Sequence, residues 1–202
     1  MGRVRVAVAP SFAGLHLVPR LGEFFRKYPA VSVEVLASER LLNLVEEGID
    51  VAVRNGEVAE SSVVARKIGS SAIVVVASPA YLEEHGEPAK PTDLERHRCI
   101  VFSSPTGPRP WLLGGRPYLP DGSFRTNEGE PIRAAALLGI GLAQIPHWLC
   151  AREIENGSLR RVLRKYEPDP MPISAIRPAS RRVPARVGVF IEFLAETLAA
   201  LR

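Results

Sequence analysis

The spacing of apolar and polar residues predicts alternating strands and helices along the chain. Residues 3–9 alternate between arginine and apolar side chains, which is the period of a strand with one buried face. From Phe12 to Tyr28 apolar residues recur every three or four positions, which predicts a helix that Pro19 either kinks or divides by starting the main segment, because proline lacks a backbone donor. Further strands are predicted at 31–37, 49–53, 63–68, 72–77, 99–102, 124–126, 140–145 and 172–177. Further helices are predicted at 39–47, 79–84, 92–97, 127–138, 146–156 and 184–201.

The order of these elements predicts an α/β fold with two Rossmann-like lobes. Residues 3–53 run strand, helix, strand, helix, strand with short turns, which is typical of a parallel sheet covered by helices. A second alternating set begins near residue 99, and the last helix is expected to return to the first lobe. We therefore expect lobe I to comprise residues 1–77 with 172–202, and lobe II residues 78–171. A cleft between them would be the ligand site.

Composition and charge are those of an ordinary globular domain. The 202 residues are 46% apolar and 24% charged, and no stretch of about 20 apolar residues predicts a membrane span. No apolar secretion signal opens the chain, so we expect a cytoplasmic protein.

The net charge of +4 comes from residues 158–202, which hold nine basic and four acidic residues. A solvated surface is the simpler interpretation of this excess, and nucleic-acid contact is the alternative. The basic residues in question include Arg160, Arg161, Arg164, Lys165, Arg181 and Arg182.

The two cysteines, Cys99 and Cys150, are too few for a disulfide scaffold or a zinc site. We expect each to be a small buried hydrophobic residue in a reducing compartment. A redox pair formed by the two thiols is the alternative, since sequence does not show whether they approach each other.

The sequence offers no recognisable catalytic or cofactor motif. Its four histidines lack metal-ligand spacing, and Gly139-Ile140-Gly141 follows a helix, so it fails the dinucleotide-binding pattern. We therefore expect no metal, no cofactor and no enzymatic activity.

Polar residues do occur where predicted strands lead into helices. Ser11, Ser103 and Asn127 hold such positions, and Arg54 ends the third strand. Helix starts offer free backbone donors, and an arginine pairs well with a carboxylate, so together these residues would suit a small anion. Helix capping, and for Arg54 a surface salt bridge, are the alternatives.

An ordered series of segments resembles the effector-binding domain of LysR-type transcriptional regulators. No single segment is specific, but the set covers nearly the whole chain in the family's order. The segments are RVRVAVAPS (3–11), LVPRLGEFFRKYP (17–29), EGIDVAVRN (47–55), ASPAYL (77–82), DLERHRCI (93–100), ALLGIGLAQIP (136–146), GSLRRVL (157–163) and PARVGVFIEFL (184–194).

The resemblance implies a fold like that of type 2 periplasmic binding proteins, with a small-molecule effector bound between two lobes. It implies effector contacts at positions that overlap with the strand ends identified above. These are Ser11, Phe12, Ser38, Arg54, Phe102, Ser103, Asn127 and Pro146. An effector carrying a carboxylate would suit Arg54, and a neutral polar compound would suit the site if Arg54 is held in a salt bridge.

The resemblance also implies a role in transcription. The family carries an N-terminal winged helix-turn-helix, which is absent from this chain, so promoter DNA would be bound only by the full-length protein. Effector binding is expected to change the lobe angle and so the geometry of a homodimer, or of a tetramer in the full-length protein. A solute-binding receptor of a transporter, which shares the fold, is the alternative function.

Overall fold

A computed structural model describes residues 2–58, 62–104, 107–179 and 183–199. Arg181 and Arg182 of the predicted basic surface lie outside the described residues. The strands are β1 (Gly2–Val8), β2 (Val31–Ala37), β3 (Val51–Asn55), β4 (Val63–Ser71), β5 (Ile73–Ala77), β6 (Cys99–Ser104), β7 (Gly107–Pro108), β8 (Trp111–Leu113), β9 (Arg116–Tyr118), β10 (Gly122–Thr126), β11 (Leu142–Pro146), β12 (Arg160–Val162) and β13 (Met171–Pro178). The α-helices are α1 (Pro10–Phe12), α2 (Leu21–Lys27), α3 (Pro79–His85), α4 (Gly129–Leu137), α5 (His147–Glu155) and α6 (Ala185–Ala199).

The chain forms two compact units, which divide near residues 70 and 170. Unit 1 comprises residues 1–70 with 171–202, and unit 2 comprises residues 71–170. We expected the first boundary at residue 77, but β5 pairs with β11 and β12 in the sheet of unit 2. Sequence periodicity predicted this strand correctly but carries no information about which partners it pairs with.

The sheet of unit 1 has the order β2-β1-β3-β13-β4. β1 runs parallel to β2 and β3, whereas β13 runs antiparallel to β3. Helix α6 packs on this unit through Phe190 and Phe193, whose rings lie 5.2 and 5.0 Å from the ring of Phe24 in α2. Burial of these three rings therefore joins the last helix to the first part of the chain.

The sheet of unit 2 repeats the same arrangement, with the order β10-β6-β11-β5-β12. Here β6 runs parallel to β10 and β11, and β5 runs antiparallel to β11. Each unit thus has a central parallel strand with a parallel neighbour on both sides and an antiparallel fourth strand. The predicted α/β class is confirmed, because each of the two units contains its own sheet with the same strand arrangement.

The helix predicted between Phe12 and Tyr28 is broken into four short segments. After α1 a π-helix spans Ala13–Leu17 and a 3-10 helix spans Val18–Arg20, before α2 begins at Leu21. The interruption falls at Pro19, which cannot donate the backbone hydrogen bond that a continuous α-helix needs.

The helix predicted at 39–47 is wrong, because these residues form bends and turns. The side chain of Asn43 accepts hydrogen bonds from the amides of Val45 and Glu46 at 3.1 and 3.3 Å, as a helix N-cap does, and the Glu47 amide donates to the Asn43 carbonyl at 3.1 Å, so a single turn forms here and no longer helix follows. Of the predicted apolar stripe only Leu44 is buried, while Leu41 and Val45 are exposed.

The Pro- and Gly-rich segment between β6 and β10 contains a short hairpin. Strands β8 and β9 pair antiparallel across Gly114 and Gly115, both of which have positive φ, as a tight two-residue hairpin turn requires. Trp111 is buried in the core of unit 2, and Tyr118 packs against that core, so both residues anchor the hairpin.

Candidate functional site

The first polar residue beyond β1 is Ser11, within the short helix α1. Its hydroxyl oxygen is buried and has no hydrogen-bond partner among the described residues. The neighbouring Phe12 is buried, with its ring centroid 5.3 Å from that of His16. A buried hydroxyl without a partner costs free energy, so its presence here calls for an explanation outside the folded chain itself.

Ser38 lies beside the end of β1. Its amide donates a hydrogen bond to the carbonyl of Val8 at 3.0 Å, and its hydroxyl oxygen accepts one from the amide of Arg40, also at 3.0 Å. The Ser38 side chain therefore already shapes the turn after β2, and its hydroxyl hydrogen is left for another partner.

Arg54 lies one residue before the end of β3, opposite Ser174 of β13. The residue is half-buried and interacts with another residue of the chain. Unit 1 thus gathers Ser11, Ser38 and Arg54 at the carboxyl ends of three parallel strands, which is where ligands bind in open α/β sheets.

Unit 2 brings a corresponding group to the carboxyl ends of its own parallel strands. Phe102 and Ser103 lie near the end of β6, and Phe102 is in register with Thr126 of β10. Asn127 directly follows Thr126 and is exposed, and Pro146 ends β11. Since β6, β10 and β11 are neighbours in one sheet, these four residues share an edge.

Two details of the predicted helix starts are wrong. Asn127 does not cap α4, which begins at Gly129 after Glu128, and the hydroxyl of Thr126 accepts the hydrogen bond from the Glu128 amide at 3.3 Å. Pro146 precedes the first residue of α5, because its ψ of 137° is extended although its φ would suit a helix.

Sequence reasoning missed one residue at this edge, Arg109, whose guanidinium carbon lies 4.9 Å from the centroid of the Phe102 ring. The signal in the sequence was small, because Arg109 follows a strand of only two residues, β7, in a segment rich in Pro and Gly. Two surface depressions of about 720 and 550 Å³ in unit 2 lie elsewhere and contain none of the predicted site residues.

The prediction that both cysteines are buried is confirmed. Burial raises the pKa of the Cys99 thiol to about 12, and burial also raises the pKa of Cys150 to about 12. Both thiols therefore stay protonated, and unreactive as nucleophiles, at neutral pH.

Within the described ranges no three acidic, histidine or cysteine side chains are grouped so that they could hold a metal ion. The helices of that part of the chain include none with the length and apolar character needed to cross a bilayer.

The two repeated α/β sheets, with polar residues at their carboxyl ends, define the class of type 2 periplasmic-binding-protein-like domains. The sequence profile of the LysR substrate binding domain matches residues 1–199. The chain therefore belongs to the LysR substrate-binding domain family, the effector-binding domains of LysR-type transcriptional regulators.

Individual relatives agree with this assignment. The chain is 30% identical over 200 residues to the HTH-type transcriptional regulator YhjC of Escherichia coli, covering 96% of this chain and 67% of that protein. It is 33% identical over 189 residues to the HTH-type transcriptional regulator CrgA of Neisseria meningitidis, covering 91% of this chain and 63% of CrgA. The solved CrgA regulatory domain superposes with a TM-score of 0.89 at 31% identity, covering 98% of this chain and 99% of that domain. The chain thus spans about two thirds of the length of these two regulators.

Proposed function

We propose that this domain senses a small-molecule effector and passes the signal to DNA-binding elements of the full-length regulator. The effector would be bound by the residues at the carboxyl ends of the parallel strands, namely Ser11, Phe12, Ser38, Arg54, Phe102, Ser103, Asn127 and Pro146. No catalytic step is assigned to these residues, and no cofactor or metal is required.

The observation that carries this proposal is the hydroxyl of Ser11. It is buried at the end of β1 without a hydrogen-bond partner among the described residues. A buried hydroxyl left unpaired costs about 1–3 kcal/mol, so a ligand that donates to or accepts from this oxygen would be stabilised by the bond. Plain helix capping does not explain Ser11, since α1 shows no side-chain capping bond.

The DNA-binding part of the proposal rests on the relatives, which are named as HTH-type transcriptional regulators and are longer than this chain. We expect a winged helix-turn-helix in the full-length protein, a homodimer of the domain and a tetramer of the intact regulator, in the cytoplasm. The regulator names of the relatives also favour this function over that of a transporter's solute receptor.

Effector binding would act by shifting an equilibrium between two arrangements of the protein. The effector can favour one arrangement only by as much as its affinities for the two differ, and about 1.4 kcal/mol of that difference changes the ratio tenfold. The favoured arrangement would alter the oligomer and so the placement of the DNA-binding elements.

A ligand screen with a double variant tests the binding site. We expect compounds that raise the thermal transition of the native chain to lose most of that effect in a Ser11→Ala, Ser103→Ala variant. If the ligand-induced shift is unchanged in the double variant, the two serines are not part of the binding site.

A further inference from the structure

The depression of about 550 Å³ in unit 2 lies beside β12 and the turn that follows this strand. Its basic lining residues are Arg160, Arg161, Arg164 and Lys165, and Glu87 is the acidic residue among the described residues that line it. We call this surface the basic depression. Its volume lies within the range of about 300–1,000 Å³ that is usual for small-molecule sites. The basic depression is therefore large enough for a small anionic ligand.

Positive charge is concentrated in the basic depression and not in the other depression of unit 2. Among its described lining residues, the depression of about 720 Å³ has one arginine, Arg98, and two acidic residues, Glu95 and Asp121. The basic depression also coincides with the charge excess of the sequence, since residues 158–202 hold nine basic and four acidic residues. A concave surface with several like charges raises the local concentration of oppositely charged solutes.

Two of the four basic side chains have acidic partners within the chain. Arg161 donates two hydrogen bonds to the carboxylate of Glu167, and both side chains are half-buried. Arg160 lies 3.5 Å from Glu87, but both of these side chains are about half exposed, so solvent screens the pair. The first pair is therefore neutral and closes the turn after β12, whereas the second leaves the Arg160 guanidinium accessible to a stronger partner.

The other two basic side chains, those of Arg164 and Lys165, are exposed and form no ion pair within the ranges that the structure describes. They lie between two anchored residues. Leu163 is 6% exposed, Tyr166 packs against the core of unit 2, and the Tyr166 carbonyl accepts a hydrogen bond from the Gly114 amide at 2.7 Å. Leu163 has a φ of 55°, a left-handed conformation that a leucine keeps only where its surroundings fix it. Because the backbone is held on both sides, ligand binding would order only the two side chains.

A phosphate monoester matches two accessible cations held in this way. It carries a charge of about −1.5 to −2 at neutral pH and has three strong acceptor oxygens. Arginine donates to a phosphate through two parallel N–H groups, and lysine binds a phosphate as a point charge. A single carboxylate has only one negative charge, so it would leave one of the two cations without a counter-charge.

We propose that the basic depression binds the phosphate group of a small phosphorylated compound through Arg164 and Lys165, with Arg160 as a further donor. This site goes beyond the proposed function, because none of its lining residues belongs to the proposed effector contacts. In the sheet order of unit 2, β12 also lies at the opposite edge from β10, which leads to Asn127. The inference assigns the domain a second ligand, bound by residues other than those at the strand ends.

Matched phosphorylated and unphosphorylated probes test the inference. Glucose 6-phosphate and glucose, and adenosine monophosphate and adenosine, are titrated into the labelled chain at constant ionic strength, while nuclear magnetic resonance follows the backbone amide signals of Arg164 and Tyr166. We expect a phosphorylated probe to shift these signals and its parent compound to leave them unchanged. The double variant Arg164→Gln, Lys165→Gln should weaken this binding by about tenfold or more, as for lost charge-assisted bonds. The control Arg26→Gln, Lys67→Gln removes the same charge from exposed positions of unit 1 and should leave the affinity unchanged.

Each other result counts against the inference. An equal loss of affinity in both double variants would show a general attraction to a basic chain. Unchanged affinity in Arg164→Gln, Lys165→Gln would show that these side chains do not bind the phosphate. If a short DNA duplex shifts the signals and neither phosphorylated probe does, the surface binds nucleic acid instead, and the absence of any shift overturns the site altogether. None of these results affects the strand-end residues, which the Ser11→Ala, Ser103→Ala variant tests separately.

Discussion

The backbone amide of Ser38 donates a hydrogen bond to the carbonyl of Val8 at 3.0 Å, where β1 and β2 end. The in-register parallel pairing of the two strands, from Gly2 opposite Val31 to Val8 opposite Ala37, leads directly to this contact. It places the turn after β2 beside the segment that leads from β1 to Ser11. Residues separated by 27 positions in sequence thus reach one edge because strand register is strict.

Replacement of Ser11 by alanine should leave the stability of the free chain unchanged, or raise it by up to about 1 kcal/mol, because a buried, unpaired hydroxyl is removed. Ser78→Ala is the matched control. Its buried hydroxyl caps α3 by accepting from the Tyr81 amide at 3.3 Å, and the loss should cost about 1 kcal/mol. Urea denaturation measures both. A Ser11→Ala loss as large as that of Ser78→Ala would show that Ser11 has a structural role.

Phe24→Ala should destabilise unit 1 by about 3–5 kcal/mol, because the ring is 1% exposed and packs on Phe190 and Phe193 of α6. Its neighbour Phe25 is 39% exposed, so Phe25→Ala should cost less than about 1 kcal/mol. The denaturation midpoints of the two variants give the comparison. Similar losses at both positions would contradict the packing of α6 on α2.

Arg133→Met should destabilise unit 2 by about 1–3 kcal/mol. Arg133 of α4 pairs with Glu130 and with Glu153 of α5, and the side chain of Glu153 is only 16% exposed. Removing the arginine would leave that half-buried carboxylate without its partner. The control is Arg125→Gln, which breaks an exposed ion pair with Asp121 and should change the midpoint of thermal unfolding by no more than experimental error. Equal transitions for the two variants would argue against a packed α4–α5 ion pair.

Neither cysteine should react with a thiol reagent in the native chain at pH 8, and both should react once the chain is unfolded. Burial raises the pKa of each thiol to about 12, above the value near 8.5 of an exposed cysteine. Because the pKa of each thiol is higher in the folded chain than in the unfolded chain, the free energy of unfolding should be highest below about pH 9. It should fall as the pH rises from about 9 towards 12. Rapid labelling of native protein would instead support the redox-pair alternative.

Local patterns predicted most elements, including the strand at 31–37 and the last helix, because burial of one face imposes a clear period on the sequence. The helix predicted at 39–47 failed because the chain forms only a single turn there, which begins at Asn43 and ends at Gly48, where φ is positive, and apolar periodicity does not show how long a helix runs. Prediction also failed for the partners of β5, because strand pairing depends on distant segments.

The candidate site was predictable to the extent that it follows strand ends, which is why Ser11, Ser103 and Asn127 were predicted as site residues. Two contacts were missed: the hydroxyl of Thr126 accepts from the Glu128 amide, and Arg109 contacts the Phe102 ring. Both depend on strand register, which no sequence motif shows. A lone arginine in a loop gives no sequence signal of the ring that holds it.

Binding of promoter DNA by the intact protein, with and without its effector, tests the central claim most directly. A gel-shift or footprinting assay uses the full-length protein and the DNA upstream of its own gene, with an effector identified by the thermal screen. We predict that the protein binds this DNA, that the effector changes its affinity or its footprint, and that Ser11→Ala, Ser103→Ala reduces the change. An intact protein that ignores the DNA in the presence and absence of the effector would contradict the proposed role.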